Sequence, residues 1–445
     1  MDYSRFFSSD VPSFLRSPVR EIFRKVDLGA IYSFAGGYPD AATFPVEDIK
    51  RISALVLEKY GAKALQYGAT QGVTELREAI SQRYGVPVER IQITTSSQQG
   101  IDVCTRIMID PGDVVLVTEP TYLGALQSFR AYRANICPLD KFAADKHFFS
   151  VPEELSVREV MEARQSASVL KEEDSLRACR PRRGRGGTAC GGVENLRNFG
   201  DSAKISDIFD SVESPLPSRP KFCYVIPDFQ NPSGQTMTLQ EREELVAMAR
   251  KYDFIIVEDS PYRELRYSGD PVPTIYSLAP ERTLHLGSFS KIFAPGFRLG
   301  WILGPPELLE QIYVCKQALD LCPPIMDQYM AAEFMSSGAL DANLAKSIEL
   351  YRGKRDLMLS LLEKYMPEGV SWTHPEGGLF LFLTLPEEID TVALYDKALA
   401  AGVAYVAGSF FYRDGSHRNT MRLNFSFLDA SRMEEGIKIL ASVIS

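Results

Sequence analysis

Lys291 follows a run of residues typical of a buried strand, and the residue types around it suit a phosphate. Ser288 and Ser290 supply hydroxyl donors, and Arg298 supplies a permanent cation with a planar set of N–H groups. A lysine amine attacks an aldehyde only when it is deprotonated, and a dry pocket with a nearby cation lowers its pKa. The segment therefore favours a nucleophilic lysine beside a phosphate, whereas a lysine after a strand, taken alone, is usually a solvated surface charge.

A carboxylate and a phenol come at the carboxyl end of another strand pattern, 254–259, where open α/β sheets bind their ligands. If it is buried, Asp259 needs a cationic partner, and a protonated pyridine nitrogen would be one. The carboxylate would keep that nitrogen protonated, so that the ring can accept electrons. Tyr262 could hydrogen-bond the phenolic oxygen of the same ring. A carboxylate that only caps the next turn explains Asp259 equally well when it is taken alone.

Three further polar segments also stand just past strand patterns. Asn231 lies in an Asn-Pro-Ser-Gly turn and could donate to the phenolic oxygen, although the turn alone would explain it. Ser97 and Gln98 precede a helix whose free N–H groups would bind a phosphate, but small polar residues are also ordinary helix caps. Tyr122 could stack on a flat ring or belong to the core.

Arg422 alternates with apolar residues in a strand pattern near the end of the chain, between Met421 and Leu423. Its side chain points opposite to these two neighbours and needs an anion if that face is buried. The α-carboxylate of a substrate, bound by both arms of the guanidinium, would serve. A solvated outer face is the alternative.

The elements that must position these residues form an alternating pattern. Between residues 81 and 303, short apolar runs are separated by amphipathic stretches, which predicts a mostly parallel sheet covered by helices. Thr238 and Glu241 have the spacing of a capping box and predict a crossover helix. The pattern from residue 342 onward predicts a long helix over 342–365, followed by the strands and helices of a separate α+β unit. The predicted strands are 91–95, 113–119, 221–227, 254–259, 284–288 and 300–304, and in the last unit 379–385, one near 403 and 421–427.

Composition limits the classes of partner. The chain has 445 residues and a net charge of −9, which fits two or three domains with a deep site and disfavours a nucleic-acid partner. Neither an apolar run of membrane-spanning length nor a signal peptide is evident, so we expect a cytoplasmic protein without a membrane partner. Seven scattered cysteines and four histidines without metal-site spacing predict reduced thiols and no metal.

The segment 151–220 does not fit a packed domain. It is polar, and residues 177–192 are dense in arginine and glycine, which cannot build a core. An exposed insertion is the favoured interpretation, and an Arg/Gly contact with nucleic acid is the alternative.

Taken together, the Ser-Phe-Ser-Lys segment with the following Arg298, the Asp259 and Tyr262 pair, the Asn231 turn and the late Arg422 resemble the fold-type I, class I/II aminotransferases. The segments 33–37 and 97–100 are similar to the branch with 2-aminoadipate, kynurenine and aromatic aminotransferases. This resemblance implies an α/β fold, with a mostly parallel seven-stranded sheet in a large domain (49–325) that binds pyridoxal 5'-phosphate (PLP). A smaller α+β domain would comprise residues 326–445 and part of the arm 1–48.

The resemblance also implies a role for each residue. Lys291 would form the aldimine with PLP and carry the proton, with Asp259 and Tyr262 as its catalytic partners. Donors would be 2-aminoadipate, aromatic or branched-chain amino acids, and the acceptor a 2-oxo acid such as 2-oxoglutarate. Arg20 would read a distal carboxylate or be an ordinary surface arginine. Carbon-sulfur lyases, aminocyclopropane-carboxylate synthases and, less readily, PLP-binding regulators share these residues.

The remaining assignments concern the cofactor, the substrate carboxylate and the assembly. Ser96 stands where relatives usually have glycine, which predicts a slightly reshaped phosphate turn. Tyr67 would reach the phosphate in a neighbouring subunit, which implies a homodimer with shared sites. The expected PLP contacts are Ser97, Gln98, Ser288, Ser290 and Arg298 at the phosphate and Tyr122, Asn231, Asp259 and Tyr262 at the ring, while Gly37, Asn231 and Arg422 would hold the carboxylate.

Overall fold

The structure is a computed structural model that describes residues 3–8, 11, 31–144 and 219–445. Its strands are β1 (Tyr32–Ser33), β2 (Ile91–Thr94), β3 (Val114–Val117), β4 (Asn135–Pro138), β5 (Phe222–Val225), β6 (Ile255–Asp259), β7 (Thr283–Ser288), β8 (Gly300–Leu303), β9 (Ser371–Trp372), β10 (Phe380–Thr384), β11 (Val403–Ala404), β12 (Val406–Ala407) and β13 (Thr420–Asn424).

Its α-helices are α1 (Val46–Tyr60), α2 (Ala62–Leu65), α3 (Thr74–Tyr84), α4 (Ser96–Met108), α5 (Leu123–Ala131), α6 (Leu139–Ala144), α7 (Leu239–Tyr252), α8 (Ile275–Leu278), α9 (Pro306–Leu319), α10 (Ile325–Ser336), α11 (Ala339–Tyr365), α12 (Thr391–Ala400) and α13 (Ala430–Ile444). Short 3-10 helices lie at Ser4–Phe6, Ala41–Thr43, Val88–Arg90, Pro295–Phe297 and Gly408–Phe411. None of the helices in the described ranges is long and apolar enough to cross a membrane.

The large sheet has seven strands in the order β2-β8-β7-β6-β5-β3-β4. β8 runs antiparallel to both of its neighbours, and the other pairings are parallel. The strands β3, β5 and β7 are buried along their whole length, and β3 and β5 consist of apolar and aromatic residues and a cysteine, as expected for a sheet covered on both faces. Because β5, β6 and β7 are parallel, their carboxyl ends meet at one edge, and Asp259 and Ser288 each end a strand there.

The crossover helix between β5 and β6 begins as the sequence predicts. Thr238 caps α7 by accepting a hydrogen bond from the backbone N–H of Glu241, whose carboxylate accepts one from the backbone N–H of Thr238 at 2.7 Å. This capping box satisfies two of the N–H groups that a helix start leaves unpaired. It fixes the residue at which the chain turns back along the sheet.

A smaller sheet has the order β12-β13-β10-β9, and its pairings are antiparallel. Arg422 lies in the middle of β13, opposite Phe382 of β10 and Val406 of β12. β1 pairs in parallel with β11, so residues near the start of the described chain join this region. The long helix α11 packs against α13 beside it.

Each predicted strand is present, although most are shorter by one to three residues at an end. The α/β class and the mostly parallel seven-stranded sheet are confirmed. The seventh strand, β4, has no counterpart among the predicted strands. The insertion predicted at 151–220 lies outside the described residues except for 219 and 220, and the division at residues 48 and 325 stays a prediction.

Candidate active site

A cavity of about 1060 Å³ opens at the carboxyl ends of β5, β6 and β7, where the first turn of α4 also points. All but two of the residues predicted for the site line it. They are Gly37, Ser97, Gln98, Tyr122, Asn231, Asp259, Tyr262, Ser288, Ser290, Lys291, Arg298 and Arg422. The sequence separation between Gly37 and Arg422 shows that both ends of the described chain contribute to one site.

Lys291 lies just after β7, and its Nζ donates to the backbone oxygen of Gly37 at 2.7 Å. Buried Phe289 and Ile292 on either side anchor the turn that carries it. Desolvation lowers the pKa of Lys291 to about 8, and the positive charges of Arg298 and Arg422 act in the same direction. A lysine with this pKa carries an appreciable fraction of neutral, nucleophilic amine near neutral pH.

Asp259 is the last residue of β6 and is 2% exposed. Its Oδ2 accepts a hydrogen bond from the hydroxyl of Tyr224 at 2.7 Å, while its buried Oδ1 has no partner among the described residues. Desolvation raises the pKa of Asp259 to about 7, although the Tyr224 hydrogen bond and the charge of His285 oppose the rise. A carboxylate in this state is stabilised by a cation that approaches Oδ1.

Tyr262 is buried beside Asp259, and its ring meets the ring of Phe380 edge to face at 5.8 Å. Desolvation raises the pKa of the Tyr262 phenol well above its ordinary value, and a hydrogen bond with Asn231 only partly offsets the rise. The phenol therefore stays protonated at neutral pH and can donate a hydrogen bond.

The part of the cavity whose residue types suit an anion is formed by the turn before α4 and the turn after β7. Ser97 and Gln98 lie in the first turn of α4, where backbone N–H groups have no partner within the helix. The side-chain amide of Gln98 donates instead to Gly124 O at 3.1 Å and to the hydroxyl of Ser128 at 3.2 Å. Gln98 therefore offers an anion its backbone N–H.

Ser288, Ser290 and Arg298 line the same cavity as the N-terminus of α4. Ser288 Oγ accepts a hydrogen bond from the backbone N–H of Ser290 at 3.1 Å, which orders the turn before Lys291. Arg298 Nη2 donates to Ser96 Oγ at 2.7 Å, which ties the two turns together. Ser96 has a left-handed backbone with φ of 66°, a conformation in which a glycine would be unstrained.

Tyr122 precedes α5 and lines the same cavity. Gly124 packs closely beneath its ring, since a Cβ at this position would lie 2.6 Å from a ring carbon of Tyr122. The glycine therefore permits the position of the ring, which forms one wall of the cavity.

Arg422 is 4% exposed and reaches the cavity from the small sheet. Its Nη1 donates to Asn231 Oδ1 at 2.7 Å, and its Nη2 donates to the backbone oxygen of Ala35. The guanidinium also lies over the rings of Phe380 and Phe411, at 4.3 Å and 5.1 Å from their centroids. Desolvation lowers the pKa of Arg422 to about 10, and each terminal nitrogen keeps one N–H for an anion.

Two predicted residues are not part of this cavity. Tyr67 is 79% exposed and does not line it. Arg20 lies outside the described residues.

Sequence reasoning missed the residues that support the site. Tyr224, which donates a hydrogen bond to Asp259, stands within an apolar strand, where its hydroxyl is the only feature that distinguishes it from a core residue.

A second supporting contact involves buried Lys316, which donates to Gln99 Oε1 at 2.7 Å and to Asp320 Oδ1 at 2.9 Å. Gln99 Oε1 also accepts from the backbone N–H of Thr95 at 2.8 Å, so α9 holds the turn before α4. The four-residue spacing of Lys316 and Asp320 was a helix-pair signal, but it did not indicate what the pair holds.

The turn that carries Asn231 is held by a second ion-pair network. Asp228, 1% exposed, pairs with Arg242 and Arg263, each at 2.8 Å. On the other side, Gly377 packs against Phe229, where any Cβ would lie 2.4 Å from the ring.

Comparison with known proteins identifies the family. The sequence matches the family described as aminotransferase class I and II over residues 35–148 and 209–440. It is 40% identical to aromatic-amino-acid aminotransferase 1 of Thermococcus litoralis, over 100% of this chain and 95% of that protein. The kynurenine aminotransferase of Pyrococcus horikoshii, solved in complex with PMP, has 39% identity and a TM-score of 0.79, covering 100% of this chain and 98% of that one. The α-aminoadipate aminotransferase of Thermus thermophilus, solved with N-(5'-phosphopyridoxyl)-L-leucine, has 29% identity and a TM-score of 0.78, covering 100% and 98%.

The chemical groups of PLP fit the residues that line the cavity. A phosphate matches the helix start, the serine hydroxyls and Arg298, while a protonated ring nitrogen matches the buried Asp259 Oδ1 that lacks a partner. An aldehyde carbon matches an amine whose pKa is lowered to about 8. The chain therefore belongs to the class I and II aminotransferases and is a PLP-dependent enzyme of fold type I.

Proposed function

We propose that the enzyme transfers the amino group of an aromatic L-amino acid to a 2-oxo acid such as 2-oxoglutarate, with Lys291 as the reacting amine and base. The observation that carries the substrate proposal is the charge of the cavity. Its lining in the described ranges has three cations, Lys291, Arg298 and Arg422. These three are assigned to the reacting carbon, the cofactor phosphate and the substrate α-carboxylate, so none of them is left to select a donor with a second carboxylate. The distal carboxylate of an acceptor such as 2-oxoglutarate would depend on Arg20 instead.

PLP, when bound, supplies an electron-accepting ring that stabilises negative charge at the substrate Cα. In the proposed arrangement Asp259 Oδ1 holds the proton on the ring nitrogen, while Tyr224 keeps the carboxylate oriented through Oδ2. Tyr262 and Asn231 would donate to the phenolic oxygen, and Tyr122 would stack on the ring. Ser97, Gln98, Ser288, Ser290 and Arg298 bind the phosphate.

Lys291 has two tasks in this proposal. Its neutral amine would hold PLP through the aldehyde carbon, and, once free again, the amine would accept the proton of the substrate Cα. A general base works best when its pKa lies near the working pH, and the pKa of about 8 meets this condition. The neighbouring cations Arg298 and Arg422 favour the neutral amine before the cofactor and the substrate bind.

Arg422 binds the substrate carboxylate with the N–H groups that its bonds to Asn231 and Ala35 leave. The backbone of Gly37 closes this end of the site, and Phe380 packs against Gly37, where a Cβ would lie 2.9 Å from its ring. The aromatic rings beside the guanidinium exclude water, so that the charge pair forms in a low-dielectric environment.

The substrate side chain would lie against an aromatic and aliphatic wall that includes Tyr38, Tyr122 and Leu123. A relative with 40% identity over the whole chain is named for aromatic amino acids, which supports this choice. Relatives named for 2-aminoadipate and kynurenine show that the branch also contains other specificities. Arg20 remains the candidate reader of a distal carboxylate, both for 2-aminoadipate and for 2-oxoglutarate.

An amino-donor screen tests the proposal. Tyrosine, phenylalanine, kynurenine, leucine and 2-aminoadipate would each be assayed with 2-oxoglutarate and with pyruvate, for wild type and for Arg20→Ala. We expect the aromatic donors to have the highest kcat/KM, and Arg20→Ala to lower kcat/KM only for substrates with a distal carboxylate. Preferred use of 2-aminoadipate with negligible use of aromatic donors would contradict the aromatic assignment. Borohydride reduction followed by peptide mapping tests Lys291 independently of the substrate.

A homodimer with shared sites completes the proposal. Leu65 and Tyr67 are 70% and 79% exposed, and the adjoining Gly68 packs on Ile325. Leu321, nearby in the chain, is 47% exposed, and large exposed apolar side chains on neighbouring segments are typical of a surface that another subunit covers. Light scattering should give the mass of two chains. If the partner's phosphate is the target of Tyr67, Tyr67→Phe should weaken PLP binding without changing the mass.

A cytoplasmic location is proposed on the state of the thiols. The described cysteines, Cys104, Cys137, Cys223, Cys315 and Cys322, are all free, as is usual in a reducing compartment. Cell fractionation with an antibody against the protein tests this location.

A further inference from the structure

Ser96 occupies a backbone conformation that its residue type disfavours. Its φ of 66° lies in the left-handed region, where a Cβ approaches the backbone too closely. Asparagine, aspartate and glycine are the residues that adopt this conformation most readily, so a serine here is unusual. Such an outlier persists only where the surrounding structure holds it, and it suggests that the side chain has a task.

The surrounding structure does hold this backbone. Thr94 Oγ1 donates to the backbone oxygen of Ser96 at 3.0 Å, immediately before α4. On the other side lies Gly300 of β8, where a Cβ would come within 2.8 Å of the carbonyl carbon of Ser96. The chain therefore has no room to relax toward β8, and the left-handed turn is imposed by packing.

The Ser96 side chain is 3% exposed, and its hydroxyl accepts the 2.7 Å hydrogen bond from Arg298 Nη2. Arg298 is itself exposed and left-handed, with φ of 53°. Its other hydrogen bond in the described structure is a long one, from Nη1 to Pro295 O at 3.4 Å. A long, exposed side chain samples many rotamers, so the buried Ser96 hydroxyl is the contact that fixes the guanidinium.

The partner is a neutral hydroxyl and not a carboxylate. Within the described ranges no acidic side chain forms an ion pair with Arg298, so the hydroxyl fixes the direction of the guanidinium and leaves its charge for an anion. An aspartate in place of Ser96 would orient Arg298 equally well but would neutralise it. A charged N–H donor bonded to a neutral oxygen is well suited to hold a site ready for phosphate.

We propose that Ser96 is a positioning residue for the cofactor phosphate, whose hydroxyl aims Arg298 at the anion. Packing imposes the left-handed backbone, and a serine stands there in spite of the strain because its hydroxyl is needed at this point of the turn. This inference rests on the proposed location of the PLP phosphate at Ser97, Gln98, Ser288, Ser290 and Arg298.

The test compares Ser96→Ala with Ser96→Gly in the full-length protein stripped of cofactor. Both variants lose the hydroxyl, but only glycine also relieves the left-handed backbone. The dissociation constants for PLP and for pyridoxal, which lacks the phosphate, are measured by absorbance titration. The unfolding temperature of the cofactor-free protein is measured alongside.

We expect both variants to bind PLP roughly tenfold more weakly, the loss of one hydrogen bond to a charged group. Their affinity for pyridoxal should stay within about twofold of wild type, because pyridoxal makes no contact with Arg298. Ser96→Gly should unfold at a higher temperature than Ser96→Ala. Asp253→Gly is the matched control, because Asp253 is also left-handed, with φ of 55°, but ends α7 away from the cavity. It should leave PLP affinity unchanged.

Unchanged PLP affinity in both Ser96 variants would overturn the proposal, as would an equal loss of affinity for pyridoxal. Weaker PLP binding in Asp253→Gly would also overturn it, since relief of strain anywhere would then be sufficient. If wild type itself binds PLP no more tightly than pyridoxal, the proposed phosphate location fails and Ser96 loses its role with it. A wild type that prefers PLP, with Ser96 variants that keep that preference, overturns the role of Ser96 alone.

Discussion

Asp228, just past the end of β5, and Asp259, the last residue of the neighbouring strand β6, are both buried carboxylates, yet their surroundings differ. Asp228 is paired with Arg242 and Arg263, each at 2.8 Å. Asp259 has no cation within ion-pair distance in the described structure, its Oδ1 has no partner, and desolvation raises its pKa to about 7. The first carboxylate is satisfied by the protein, and the second is satisfied only by something that enters the cavity.

The same difference between paired and unpaired charges occurs in two lysines and two arginines. Lys316 pairs with Asp320 at 2.9 Å and Arg242 with Asp228, whereas no described carboxylate pairs with Lys291 or Arg422. Desolvation lowers the pKa of Lys291 to about 8 and that of Arg422 to about 10. Carboxylates therefore neutralise Lys316 and Arg242, which lie outside the cavity, but not Lys291 and Arg422, which line it. This difference fits the proposed roles of Lys291 and Arg422 with the cofactor and the substrate.

The largest effect should come from the two lysines. Lys291→Ala should lower kcat by roughly 10⁴-fold or more, because both the nucleophile and the base are lost, while the protein stays folded. Lys316→Met should instead lower the free energy of unfolding by about 3 kcal/mol, because Asp320 loses its cationic partner, and should lower kcat far less than Lys291→Ala does, because Lys316 acts on the site only through the turn before α4. Steady-state kinetics with urea unfolding separates these outcomes. Full activity in Lys291→Ala would refute the assignment of the reacting lysine.

Substitution of the two aspartates should likewise separate activity from stability. Asp259→Asn should lower kcat by about 10²–10³-fold, because an amide does not hold the ring nitrogen protonated, and should not destabilise the cofactor-free protein. Asp228→Asn should lower the free energy of unfolding by about 3–5 kcal/mol, since Arg242 is then buried without an anion. Equal loss of stability in both variants would show that the distinction between cavity and scaffold is wrong.

The residues that line the cavity were easier to predict from the sequence than the residues that hold them in place. Lys291, Asp259, Asn231 and Arg422 each stand at a strand end or in an alternating strand, and their types match one cofactor chemistry. The pairs that hold them join distant segments, such as Arg242 with Asp228, and no short-range pattern encodes such a pairing. The role of Tyr224 was not predictable for the same reason, since its hydrogen bond to Asp259 crosses from β5 to β6.

The fold was predictable wherever strands are apolar along their whole length. β4 was missed because its sequence, Asn-Ile-Cys-Pro, contains two poor strand formers, which are tolerated because this strand lies at the sheet edge. Ser96 shows the converse, because the departure from glycine was visible in the sequence while the bond to Arg298 was not. Tyr67 was predicted to act in a neighbouring subunit, and it lies on the surface of its own chain, 79% exposed.

The two arginines should differ by a smaller margin. Arg422→Ala should raise KM for the amino donor by about 10–100-fold, the loss of charged hydrogen bonds to a carboxylate, with a smaller change in kcat. Arg242→Met should chiefly lower the unfolding temperature and should raise KM much less than Arg422→Ala does, because Arg242 acts on the carboxylate site only through the turn that carries Asn231. Initial-rate kinetics over a range of donor concentrations measures the first effect. An unchanged KM in Arg422→Ala would remove this residue from the carboxylate site.

The smallest effect should appear in the pH dependence of stability of the cofactor-free protein. Lys291 has an ordinary pKa of 10.5 when unfolded and about 8 when folded, so between these values the unfolded chain binds more protons than the folded one. Stability therefore rises with pH across this window, and it is flat below about 8, where both states are protonated. Between pH 7 and 9 the gain should be about 1.4 kcal/mol relative to Lys291→Met, in which the titrating amine is gone.

Urea unfolding of both proteins at a series of pH values measures this gain, because the titration of the groups that they share cancels in the difference. A constant difference between wild type and Lys291→Met would mean that the amine keeps its ordinary pKa, and the contrast with paired Lys316 would lose its physical basis.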